Sequence, residues 1–196
     1  MAAIQAPPSA RERILDTASR LFYRHGFQAV GIDTIIAEAG VAKMTLYRHF
    51  PAKDDLIVAY LERSNGQFWE WLDGEIAGIE DPEAQLLEIF AAVDRLARSP
   101  QCLGCTFQAI AVEFPDLEYR GHQVALAHKQ SLIAKFRDLA ERAKLRAPAA
   151  LANQLLLLMD GAWVASRMFG AANPASEVAA ASQALIAAQR QQIADR

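Results

Sequence analysis

Strand signatures are nearly absent from this chain. Alternating runs of β-branched and polar residues are missing, while alanine, leucine and glutamine abound, which excludes a sheet-based core and points to an all-α fold. Cysteine is scarce too. Two residues, Cys102 and Cys105, make no disulfide framework and fit a reduced, cytoplasmic setting. The most apolar stretch, Leu155 to Phe169, holds Asp160 and Arg167 and is too short and too charged for a membrane span, so it reads as a buried helix. The N-terminus lacks the basic, apolar and small-residue order of a secretory leader. No glycine-rich phosphate loop, nucleophile elbow or Glu-x-x-His pair occurs, since Glu118 and His122 stand four apart. An enzyme is therefore not expected, nor a cofactor.

What is present is apolar mass and an uneven charge. Of 196 residues, 53% are hydrophobic, enough for a sizeable core. Residues 1–53 carry seven Lys/Arg against four Asp/Glu, a net of +3. The whole chain is −3, so the remainder is −6. Any nucleic-acid contact belongs at the N-terminal end.

That end reads as three helices. A disordered-looking lead, residues 1–8, stops at Pro7-Pro8. Ser9 precedes Glu12 by three, the spacing of a capping box, and Ile14, Leu15, Ala18, Leu21 and Phe22 then share one helical face. Gly26 is expected in the left-handed position that ends this helix, with Phe27 folding back onto Phe22. Asp33 is expected to cap a short second helix that ends at Gly40. After a turn of two or three residues, Lys43 to Phe50 forms a third, stopped by Pro51. Two short helices joined by a glycine-containing turn make a helix-turn-helix.

Leu46 and Phe50, one turn apart, can anchor the third helix. Lys43, Met44, Thr45, Tyr47, Arg48 and His49 are then left facing outward. Lysine, threonine and tyrosine suit phosphate oxygens, and arginine can hold a guanine edge through two hydrogen bonds. Lys53, opening the next helix, adds a phosphate contact beside that helix's exposed N–H groups, and Thr34 on the second helix joins the candidates.

The stretch Gly40-Val41-Ala42-Lys43-Met44-Thr45-Leu46-Tyr47-Arg48-His49-Phe50, followed by Lys53-Asp54-Asp55-Leu56, resembles the TetR family of bacterial regulators. Phe22, Gly26-Phe27 and Ile36-Ala37-Glu38-Ala39-Gly40 are similar to that family's pattern as well, so the resemblance covers about residues 10 to 60. It implies a three-helix DNA-binding unit and a larger helical domain that binds a small-molecule effector. It also implies a homodimer on double-stranded operator DNA. Thr45, Tyr47 and Lys53 become phosphate contacts; Lys43, Met44, Arg48 and His49 become base or mixed contacts. Two departures stand out. Ala42 replaces a usual serine, losing an N-cap, and Met44 replaces a commonly small residue.

Beyond the helix-turn-helix domain of residues 9–52, residues 53–196 read as six helices. The first runs from Lys53 towards Gly78, and the second opens at Asp81-Pro82-Glu83. A short apolar helix spans Cys105 to Phe114, and a long one covers about Leu117 to Leu145. In the long one Lys129, Lys135, Arg137, Arg142 and Lys144 make up the polar face. The last two helices, about 148 to 170 and 175 to 194, are apolar on nearly all sides or rich in alanine. In the TetR family this pair meets its twofold mate as a four-helix bundle, which implies Leu155, Leu158, Ala162, Val178, Ser182, Leu185 and Ile186 at a dimer interface.

The effector region, by the same resemblance, lies among the helices after residue 53. Phe68, Trp71, Phe90, Phe107, Phe114, His122 and Trp163 can line it, with polarity from Asp160 or His122. Cys102-Leu103-Gly104-Cys105 is a C-x-x-C, a spacing found in redox pairs and half zinc sites. His122 and His128 lie six apart, which is not a helical metal spacing, so no metal is expected. Gly104-Cys105-Thr106-Phe107 is similar to a sequence common in the family at this helix, which makes Cys105 a packing residue of the effector region. A repressor released by its effector is the leading reading. A ligand-independent activator and a thiol sensor using Cys102 and Cys105 are the alternatives.

Overall fold

The computed structural model describes residues 7–190. Most of the N-terminal lead, and Ile193 with the end of the last expected helix, lie outside the described residues. Among those described there are nine α-helices and no strand, so the fold is all-α. They are α1 Ala10–His25, α2 Ile32–Ala39, α3 Lys43–His49, α4 Lys53–Glu75, α5 Pro82–Ala97, α6 Thr106–Glu113, α7 Arg120–Arg142, α8 Pro148–Phe169 and α9 Val178–Ala188. Two 3₁₀ turns, Gly170–Ala172 and Pro174–Glu177, join α8 to α9. No helix among the described residues is long and apolar enough to cross a membrane.

The helices form two compact units. The first takes the described residues up to Asn65 together with Thr106–Ala125, and the second takes Gly66–Cys105 with the described residues from Leu126 onward.

In the first unit the capping box forms as spaced. The Glu12 N–H donates to Ser9 Oγ at 3.2 Å, and the Ser9 N–H donates to the Glu12 carboxylate at 2.7 Å. These bonds hold the Glu12 carboxyl below its ordinary pKa, the Ser9 backbone donor being the largest cause. At the other end of α1 the expected left-handed stop is replaced by a more extended one. Gly26 has φ 86° and ψ 169°, a region that only glycine occupies readily. Phe27 still reaches Phe22, with ring centroids 5.3 Å apart, and Tyr60 of α4 lies 5.8 Å from both. The cap of α2 differs too. Gly31 occupies the N-cap, and Asp33 sits in the first turn, where its charge complements the helix dipole without bonding the backbone. Gly40 ends α2 in the left-handed conformation, φ 62° and ψ 44°.

The second unit is built on a large apolar core. Leu72, Leu86, Ile89, Phe90, Val93, Phe136, Leu139, Leu151, Leu155 and Met159 are fully buried there, from α4, α5, α7 and α8. Asp81 caps α5 by accepting from the Ala84 N–H at 3.0 Å, with Pro82 in the first turn where its missing N–H costs nothing. The C-terminal carbonyl of α5, Ala97 O, is met by two buried donors, Ser166 Oγ at 2.8 Å and Asn173 Nδ2 at 3.1 Å.

Candidate functional site

In the first unit α3 is pinned from beneath and bare above. Leu46 and Phe50 are buried, and the Arg11 guanidinium lies 5.2 Å from the centre of the Phe50 ring. On the other side Met44 is 81% exposed and Tyr47 39%, and Lys43 and Arg48 are exposed with them. Thr45 and His49 are half-buried, and Thr34 is exposed on the first turn of α2. Ala42 holds the extended backbone of an N-cap, φ −73° and ψ 148°, but has no side chain to bond the helix. Lys43 reaches across the turn to Asp33 at 3.5 Å, an exposed pair. The result is a short helix presenting a methionine, a tyrosine, an arginine and a lysine on one rigid base, the set of groups that can meet base edges and phosphates.

Lys53 begins α4 half-buried, with its Nζ 3.5 Å from the Gln28 carbonyl oxygen. Desolvation holds its pKa below the ordinary lysine value, opposed by the charges of Glu113 and Asp54. Glu113, the last residue of α6, is the partner that sequence reasoning missed. Its carboxylate accepts the N–H of Phe27 at 3.0 Å and of Gln28 at 2.7 Å, and its carbonyl oxygen accepts from the Gln28 side chain. Nearby, Tyr119 donates to Asp54 at 3.0 Å, and Arg120 pairs with Asp55 at 2.7 Å. Burial, and then the Asp54 bond, push the Tyr119 phenol well above its ordinary pKa.

The residues expected to line an effector region fall in both units. Phe107, Phe114 and His122 belong to the first, where Phe107 is buried and His122 Nδ1 bonds the Phe114 carbonyl at 3.0 Å. The other six belong to the second. Phe90 is fully buried 5.7 Å from Phe136, and Trp163 is buried in the same core. Both are packing residues of the protomer. Phe68 is half-buried at the centre of a ring cluster, 5.4 Å from Trp71, 5.7 Å from Trp69 and 4.9 Å from His128.

Asp160 pairs with Lys129, whose Nζ also lies 3.8 Å from Cys105 Sγ. Lys129 therefore does not stand on the polar face assigned to it from the periodicity of α7; its side chain is only 17% exposed. His128 beside it is buried, and desolvation, aided by the Lys129 charge, pushes its pKa down to about 3, so it is neutral at physiological pH. The Cys102–Cys105 segment is held against α8. The Arg167 guanidinium donates to Leu103 O at 3.1 Å, and a Cβ on Gly104, at φ 89°, would stand 3.1 Å from Trp163 O.

Of the side chains expected at a dimer interface, Leu155, Ala162, Val178, Ser182 and Ile186 are buried within the protomer's own packing, and Leu158 and Leu185 are half-buried. A helix that is apolar on all sides carries no phase from which to tell its inner face from its outer one. The exposed apolar side chains of α8 are instead Leu157 (72%), Val164 (45%), Met168 (71%) and Phe169 (58%). A shallow groove of about 230 Å³ runs beside them, lined by Leu157, Leu158, Gly161, Ala165, Pro174 and Ala181 among others.

The comparisons with known proteins agree with this geometry. A family model described as bacterial regulatory proteins of the tetR family matches residues 14–60, the span from α1 into α4. A solved structure of a TetR-family transcriptional regulator from Streptomyces coelicolor superposes with a TM-score of 0.88 at 31% identity, covering 93% of this chain and 96% of that one. An uncharacterized HTH-type transcriptional regulator of Mycobacterium tuberculosis is 32% identical over 98 residues, 50% of this chain and 48% of its own length. The chain thus spans about half of that curated relative. An HTH-type transcriptional repressor of Streptomyces coelicolor is 29% identical over 144 residues, 71% of this chain and 69% of its own. With a helix-turn-helix whose outer face is bare and a near full-length structural match above 30% identity, the chain belongs to the TetR family of bacterial transcriptional regulators, DNA-binding proteins and not enzymes.

Proposed function

We propose that this protein is a ligand-responsive repressor that binds a near-palindromic operator as a homodimer. Two copies of α3 enter successive major grooves, about 34 Å apart along the duplex. Arg48, Lys43 and Met44 meet base edges, with His49 and Thr34 at the margin. Thr45, Tyr47 and Lys53 hold phosphates. The observation that carries this reading is the bare outer face of α3 over its buried Leu46 and Phe50 anchors. The second copy docks on the exposed apolar side of α8, where Leu157, Met168 and Phe169 otherwise stand in water.

Selection of DNA from a random pool, followed by binding of variants to the chosen sequence, tests the interface. Tyr47→Ala and Lys53→Ala are expected to weaken binding to all sequences, and Lys53→Ala alone to lower the salt dependence by about one unit of slope, since only the lysine brings a charge to the phosphates. Arg48→Ala is expected to cost about 1–3 kcal/mol and to relax preference at one base pair. Retained affinity in all three variants refutes the interface.

Release by an effector rests on the second unit. The Phe68–Trp69–Trp71 ring cluster offers apolar area, and the Lys129–Asp160 pair offers a polar anchor for a small molecule with an apolar body and one charged or hydrogen-bonding group. A second reading, a thiol sensor, draws support from the ammonium of Lys129 beside Cys105, since a cation favours the reactive thiolate. The two readings separate cleanly. A metabolite that releases operator DNA from Cys105→Ser as it does from wild type supports the ligand site. Release by peroxide or electrophile in wild type, lost in Cys105→Ser, supports the sensor.

A further inference from the structure

Glu113 joins two parts of the first unit that are 85 residues apart in sequence. The loop between α1 and α2 turns its Phe27 and Gln28 N–H groups the same way, and the two oxygens of one carboxylate meet them at 3.0 and 2.7 Å. The loop turns here through the unusual backbone of Gly26, whose missing Cβ leaves room for the carboxylate; a Cβ there would stand 2.7 Å from Glu113 Oε1. Gln28 is held a second time through its side chain, which donates to the Glu113 carbonyl oxygen. So anchored, Gln28 presents its own carbonyl oxygen to Lys53 Nζ at 3.5 Å.

On the far side, the ring of Phe114 stacks on Tyr119 at 4.4 Å, and Tyr119 and Arg120 bond Asp54 and Asp55 of the α4 first turn. The end of α6 and the segment after it are thereby tied to the α1–α2 loop that Lys53 contacts and to the helix turn that carries Lys53.

From this we infer that Glu113 is a positioning residue for operator binding, holding the Gln28 carbonyl where it aims the Lys53 ammonium at the DNA backbone. The inference rests on the reading of Lys53 as a phosphate contact.

A double-mutant cycle on the full chain tests it, with affinity for the selected operator duplex measured across a salt series and helicity and thermal midpoint recorded for each variant. Glu113→Gln keeps the shape and one acceptor while removing the second acceptor and the charge. It is expected to weaken binding roughly tenfold and to lower the salt slope by about 0.9, as Lys53→Ala does. The double variant Glu113→Gln/Lys53→Ala is expected to bind no more weakly than Lys53→Ala alone, whereas Glu113→Gln/Tyr47→Ala multiplies the two losses.

Multiplicative losses in the Lys53 cycle overturn the inference, because they make Glu113 a general structural clamp. Tighter binding by Glu113→Gln overturns it as well, showing that the carboxylate acts only as a repulsive charge near DNA. An unchanged salt slope in Lys53→Ala removes the contact on which the inference stands, and Tyr47→Ala then tells whether the wider interface reading falls with it.

Discussion

The two units are held together by different means. The second is a conventional apolar core in which Phe90, Phe136, Leu151 and Met159 are wholly removed from water. The first also has an apolar core, with Ile14, Ile35, Leu46, Leu56, Ile57 and Leu61 wholly buried beside the rings of Phe22, Phe27 and Tyr60, but its outer face is tied in addition by directional polar contacts. These include Glu113 to the α1–α2 loop, Tyr119 to Asp54, Arg120 to Asp55 and Arg63 to Asp16. Apolar packing is strong and indifferent to small rotations. Hydrogen bonds to charged groups fail over about an ångström. The polar ties of the first unit are therefore more sensitive to small displacements than the apolar packing of either unit.

Substitutions in the two units are expected to break in opposite directions. The largest effect is in the second unit, where Phe90→Ala removes a ring that is fully buried against Phe136. It is expected to cost about 3–5 kcal/mol in denaturant unfolding. Tyr47→Ala, on the bare face of the first unit, is expected to change stability by less than about 0.5 kcal/mol while weakening DNA binding. If the two swapped these signatures, the contrast between the units would collapse.

Acid should expose the second unit next. Buried His128 stays neutral down to about pH 3, whereas in the unfolded chain it takes up a proton near the ordinary histidine value of 6.5. The unfolded state therefore binds more protons between those values. Stability is expected to fall as pH drops from 6.5 to about 3, with a slope of up to about 1.4 kcal/mol per pH unit within that window, and His128→Leu should remove that slope from a pH series of unfolding curves. Gly26→Ala, in the first unit, is expected to cost about 1–3 kcal/mol from its backbone conformation and to weaken DNA binding in parallel, by displacing Glu113. One substitution runs the other way. Ala42→Ser restores a side-chain cap on a backbone already in N-cap geometry and is expected to stabilise the protein by about 0.5–1 kcal/mol, measured as a raised thermal midpoint.

What could be read in the chain beforehand follows the range of the forces involved. The capping box at Ser9 and Glu12, the left-handed Gly40 and the Asp81-Pro82 start are contacts within four residues, and each left its spacing in the sequence. The misplacement of the α2 cap by two residues, Asp33 for Gly31, shows the limit of that logic, since Asp33 finds Lys43 instead of its own helix. Glu113 was invisible because a glutamate at the end of an apolar helix looks like any solvated charge; its partners are the backbone of a loop 85 residues away. Lys129 was assigned to the polar face of α7 by periodicity, which has no means of registering Asp160 on another helix. In α8 the difficulty was different in kind. Apolar residues on every side conceal the phase, and only the packed protomer separates Leu155 from Leu157.

The exposed side of α8 carries one further consequence, for quantity and not for geometry. If a second copy closes over Leu157, Met168 and Phe169, the folded protein is the product of an association, and its unfolding free energy per dimer changes by about 1.4 kcal/mol for every tenfold change in concentration. The fraction of assembled dimer is then set by how many chains are made, so that expression level itself becomes an input to operator binding.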